Sequence, residues 1–153
     1  MIEISECVEV PAAPRIVWDV LSDPRAVVEC MPGAKLGDRL DDGSYDAALT
    51  VKFGPARVTF RAKLALELDG TAMIGHVSSR GRDDQGGTRV KTAMTFQVMA
   101  GQPPGSSVVP IDAQVEISGR LAWLVESGAV LVVKRMTGEF TERLAARCAK
   151  ATG

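Results

Sequence analysis

The chain has 153 residues, 46% hydrophobic and 24% charged, which is enough for one domain to bury a core without disulfide or metal staples. Its 18 basic and 19 acidic residues leave a formal net charge of -1, which removes the electrostatic case for nucleic acid as a partner. Three scattered cysteines, Cys7, Cys30 and Cys148, include no Cys-x-x-Cys pair and fit a reducing cytoplasm better than a secreted disulfide framework.

The opening MIEISECVEV has neither a basic nor an apolar leader region, so it does not read as a signal peptide. Residues Ile2 to Val10 alternate loosely and read as a first strand, ended by the Pro11 to Pro14 segment. Pro14 then opens a short helix with Ile16, Val17, Val20 and Leu21 on one face. Asp23 caps a second, in which Val27, Val28 and Met31 face one way until Pro32-Gly33 ends it.

Beyond Gly33 the period changes to two. Turn signals recur at Asp42-Gly43, Gly54-Pro55, Asp69-Gly70, Gln85-Gly86-Gly87 and Pro103-Pro104-Gly105, as in a meander. The clearest strand places Val58, Phe60, Ala62, Leu64, Leu66 and Leu68 on one side and Arg57, Thr59, Arg61, Lys63 and Glu67 on the other. Segments beginning at Tyr45, Val90 and Ile111 repeat the pattern, and two weaker ones, 34–40 and 72–82, bring the expected total to seven strands. A long helix over about Glu126 to Lys150 closes the chain, with Val133, Met136, Phe140, Leu144 and Cys148 stepping by three or four. Gly138 inside it suggests a close approach or a slight bend. The apolar stretch 121–133 is broken by Glu126 and Ser127 and falls short of the roughly 18 residues of a membrane span.

One α+β domain over 1–153 is therefore expected, with a curved antiparallel sheet wrapped around its C-terminal helix. A curved sheet and a straight rod need not meet everywhere, and the gap is a candidate apolar ligand site. The meander would bring 31–34, 53–56 and 83–87 to one end, around a mouth. Phe60, Leu64, Met94, Phe96 and Ile117 on the sheet and Met136 and Phe140 on the helix are the candidate lining. Tyr45, His76 and Arg82 are the candidate polar groups that orient a ligand. No catalytic or metal-binding set emerges: His76 is the only histidine, there is no G-x-S-x-G elbow, and the Asp41-Asp42 and Asp83-Asp84 pairs read as solvated turns.

The stretch VPAAPRIVWDVLSDPRAVVECMPG, the opening VKFGPARVTF, the GGTRV segment and VEISGRLA together resemble the CoxG family of carbon monoxide dehydrogenase proteins, within the START and polyketide-cyclase-like (SRPBCC) superfamily. The resemblance spans nearly the whole chain. It implies a helix-grip fold of the START and Bet v 1 type. It also implies a non-enzymatic helper of a molybdenum-containing hydroxylase, linked to maturation, membrane recruitment or quinone coupling. The expected guest is quinone-like or lipid-like, with no intrinsic cofactor. Peripheral membrane contact stays open, because relatives with a recruitment role often carry an extended C-terminal tail and this sequence runs to Gly153. Two other readings stand beside the carrier: a cyclase or dehydratase of the same fold, and an interaction module with a filled interior.

Overall fold

A computed structural model describes residues 1–85 and 87–152, so Gly86 of the third expected turn around the mouth lies outside the described residues. The period-two segments form one antiparallel sheet: β1 (Ile2–Val10), β2 (Ala34–Arg39), β3 (Tyr45–Phe53), β4 (Ala56–Asp69), β5 (Ile74–Asp83), β6 (Thr88–Gln97), β7 (Met99–Ala100) and β8 (Ser107–Gly119). Their spatial order is β1-β8-β6-β5-β4-β3-β2, with β7 paired to β8. The seven expected strands make up this path; the eighth is the two-residue β7. It arises because the Val98 N–H turns to the Met73 carbonyl at 2.9 Å, interrupting β6 before the chain pairs again with β8.

The sheet is concave toward the helices. At Gly81 a Cβ would collide with the Arg61 carbonyl and the Ala62 side chain of β4, so only glycine permits this close approach on the inner face. Ser107 Oγ donates to the Ala12 carbonyl at 2.6 Å, tying β8 to the chain leaving β1.

Helix α1 (Pro14–Leu21) begins on its proline as expected and buries Val17, Trp18 and Val20. In α2 (Pro24–Cys30) the Asp23 carboxylate accepts the Arg25 N–H at 3.1 Å. Its deepest residues are Ala26 and Cys30 rather than Val28, because the small pair at i, i+4 lets α2 pack against the last helix. That helix, α3 (Ala122–Thr152), starts four residues before the expected Glu126. Its beginning is fixed from outside: Thr88 Oγ1 accepts the Leu121 N–H at 2.8 Å, and the Gly87 carbonyl accepts that of Arg120 at 3.0 Å. Gly138 meets nothing within 4 Å, so the expected close approach is absent there. Gly128 takes that role, since a Cβ on it would press on Phe53 Cδ1 at 2.9 Å.

Burial pushes the Cys30 thiol up, against a smaller opposing pull from Arg147, and pushes that of Cys148 up as well. Cys7 is exposed on β1. Iodoacetamide at pH 8 should therefore label the native protein at Cys7 alone, with Cys30 and Cys148 reacting only on unfolding, as peptide mass mapping would reveal.

Candidate ligand-binding site

Two apolar clusters hold α3 to the sheet, one at each end. The first gathers Val8, Val10, Val109, Phe96 and Val98 of the sheet around Val17 and Trp18 of α1 and Phe140, Leu144 and Cys148 of α3. The second places Val51, Phe53 and Val58 under Val125 and Val132 of the helix. Between them the helix packs mainly against β1, β3 and β8, without comparable contact to β4, β5 or β6.

The interior between the clusters is therefore walled but unfilled. Leu64 and Leu66 of β4, Val90 and Met94 of β6 and Val115 of β8 belong to neither cluster and are only half-buried, although all face the concave side. The register puts Tyr45, Leu64, Ser79, Thr92, Val115 and Ile2 directly opposite one another across six strands. This row crosses the middle of the wall. Within it the hydroxyls of Ser79 and Thr92 have no hydrogen-bond partner among the described residues. A half-exposed Leu or Met under a helix forgoes on the order of 1 kcal/mol of burial, which an apolar guest would restore.

The expected lining residues divide by position. Leu64 and Met94 lie in the gap, whereas Phe60, Ile117 and Met136 pack against the second cluster at its edge. Phe96 and Phe140 are buried in the first cluster; Phe96 meets Trp18 with ring centroids 6.0 Å apart and planes at 39°. Tyr45 stands in the central row with the Arg39 guanidinium 5.7 Å from its ring centroid.

His76 does not belong to this site. It pairs with Glu67 and Thr95 on the convex face, where it is exposed and its Nδ1 lies 2.9 Å from Thr95 Oγ1. One residue of register moves a side chain through the sheet, and His76 sits one residue from inward Val77. Arg82, opposite Arg61 and Arg89, is outward for the same reason.

Ser79 and Thr92 are the polar residues that the sequence pattern leaves unassigned. Thr92 is in phase with Val90 and Met94, but β5 reads IGHVSSRGRD, whose inward set of Gly75, Val77, Ser79 and Gly81 has almost no apolar signal.

The segments 31–34 and 53–56 do share an end of the sheet with the β5–β6 turn. There, Val51, Phe53 and Val58 pack under α3, so that end is a packed cluster rather than the expected mouth. Asp83 also departs from its expected solvated turn: it is 3% exposed and its carboxylate accepts the Gly87 N–H at 3.1 Å, closing the turn from within. Asp42 is fully exposed, and hydrogen bonds from the Ser44 hydroxyl and N–H hold its carboxyl below the usual range. Among the described residues no three His, Cys, Asp or Glu side chains converge as a metal site, and no helix is long and apolar enough to cross a membrane.

The profile of the carbon monoxide dehydrogenase CoxG family matches residues 7–149. No curated protein matches the sequence at a significant level. Among solved structures, a conserved protein from Geobacillus kaustophilus superposes with a TM-score of 0.83 at 16% identity, over 98% of this chain and 97% of that one. The Zhui aromatase/cyclase from Streptomyces gives 0.66 at 15%, over 99% and 96%. A START superfamily protein from Mycobacterium smegmatis gives 0.61 at 18%, over 97% and 98%. At these identities the likeness is one of fold, the helix-grip arrangement of START-type proteins.

Proposed function

Because the chain belongs to the CoxG family of carbon monoxide dehydrogenase proteins, we propose that it is a non-enzymatic carrier of a quinone-like or lipid-like molecule. It would act in the cytoplasm as accessory to a molybdenum-containing hydroxylase of the carbon monoxide dehydrogenase type. The observation that carries this reading is the unfilled wall between the two clusters, with its half-buried Leu64, Leu66, Val90, Met94 and Val115. Covering about 300 Å² of apolar ligand surface would contribute up to roughly 7 kcal/mol before ordering costs, against about 1 kcal/mol for each hydrogen bond. Apolar contact would therefore set affinity. The hydroxyls of Ser79 and Thr92 would set orientation, which favours a ring bearing carbonyl acceptors over a plain acyl chain.

The same wall weighs against a cyclase or dehydratase. General acid-base work needs a titratable group within hydrogen-bond reach of the substrate. In the central row and its two neighbours, which run through Ala62, Gly81, Val90 and Ile117 and through Leu66, Val77 and Met94, the only ionisable group is the phenol of Tyr45.

Titration with a short-chain ubiquinone analogue and with palmitate, read by native mass spectrometry, tests the carrier reading. We expect one quinone per chain, bound at least tenfold more tightly than palmitate. A protein that takes up neither refutes the carrier. Turnover of a polyketide-like substrate would move the reading to the enzyme.

A further inference from the structure

The convex face of the sheet carries a second feature, one that does not depend on the cavity. Register places Arg61, Arg82 and Arg89 directly opposite one another on β4, β5 and β6, and the adjoining outward row holds Lys63, Arg80 and Lys91. Six of the chain's 18 basic residues thus occupy a patch of about 10 by 7 Å, on a protein whose net charge is -1. All six are exposed. None makes an ion pair or hydrogen bond among the described residues, where the ion pairs are Arg15 with Asp19 and Arg147 with Glu29. The only carboxylates directly opposite the array are Asp46 beside Lys63 and Glu116 beside Lys91.

Like charges directly opposite across strands are destabilising, so folding alone gives no reason for this arrangement. Farther along the same face the sign reverses. An open groove there is lined by Glu3, Glu67 and Asp112 together with His76 and Thr95. No Phe, Tyr or Trp lies on the outward side of β3 to β6, so bases have nothing to stack on and a bilayer meets no aromatic anchor. A uniformly anionic membrane or duplex would also be repelled by the acidic end. A protein surface with a carboxylate cluster beside a basic patch matches both ends at once and fixes the orientation of docking.

We infer that the convex face of β4, β5 and β6 is a docking surface for a protein partner, with the Arg61, Arg82, Arg89, Lys63, Arg80 and Lys91 array receiving a cluster of carboxylates. The array lies on the far side of the sheet from the cavity, so a failed quinone titration leaves it standing.

A ten-residue oligoglutamate peptide serves as the probe, measured by fluorescence anisotropy at 50 mM salt beside phosphatidylglycerol vesicles and a 20-base-pair DNA duplex. We expect the peptide to be preferred over both. Its binding should weaken at least tenfold in Arg82→Glu and should persist in Lys134→Glu, which alters an exposed helix residue. Relief of like-charge repulsion should also raise the Tm of Arg82→Glu by about 1 to 3 °C, a gain that a purely structural arginine would not show. Peptide binding indifferent to Arg82→Glu, preference for vesicles or duplex, or no binding to any probe overturns the inference.

Discussion

Thr92→Phe should lower quinone affinity by roughly 50- to 100-fold while leaving the Tm unchanged or slightly higher. Thr92 stands in the central row opposite Ser79 and Val115, between the two apolar clusters. A phenyl ring there would occupy the space of the guest. Forfeiting about 100 Å² of apolar ligand contact is worth on the order of 2.5 kcal/mol. The stability readout matters equally, because forcing a ring into a close-packed interior costs typically about 1 to 3 kcal/mol. A ring entering a hollow instead gains contacts with Leu64, Met94 and Val115. Titration of the variant beside a thermal melt checks both. A Tm several degrees lower with affinity unchanged would mean that the interior is filled and the ligand site lies elsewhere.

The same hollow explains which parts of the structure are legible in the sequence. Where a strand covers packed core its alternation is plain: β4 from Val58 to Leu68 and β6 from Val90 to Phe96 both face inward as their periodicity requires. The helix starts at Pro14 and Pro24 are equally readable, because proline and the Asp23 cap act through local geometry. Strand β5 is not. Its inward residues line empty space beside close-approaching strands, so selection for core volume is weak and Gly75, Ser79 and Gly81 leave no apolar imprint. Without that imprint the parity of the strand is unreadable, and pattern alone puts His76 and Arg82 on the wrong side. The start of α3 is hidden for a different reason. The residues that satisfy it, Thr88 and Gly87, lie more than thirty positions earlier in the chain. The expected array of lining residues is right about strands but does not separate cluster from gap, since Phe96 and Leu64 share a periodicity and differ only in what the helix places above them.

Leu144→Ala is expected to cost about 3 kcal/mol and to lower the Tm by about 6 to 12 °C, as measured by urea unfolding and calorimetry. Leu144 is 0% exposed and lies in the cluster that joins α3 to α1 and β1. Its neighbours Val10 and Val17 are also fully buried, and β-branched side chains held by a strand and a helix have little freedom to close around the void. Because the middle of the wall contributes little burial, the two end clusters must supply most of the packing that keeps the helix on the sheet. Truncation in a cluster should therefore be far more damaging than truncation in the gap. Met94→Ala, which removes a half-buried side chain of similar size, should cost under about 1 kcal/mol. The ratio between these two losses is the diagnostic. If Met94→Ala destabilised the protein as much as Leu144→Ala, the side chain would have to be packed on all sides, and no space for a guest would exist between sheet and helix.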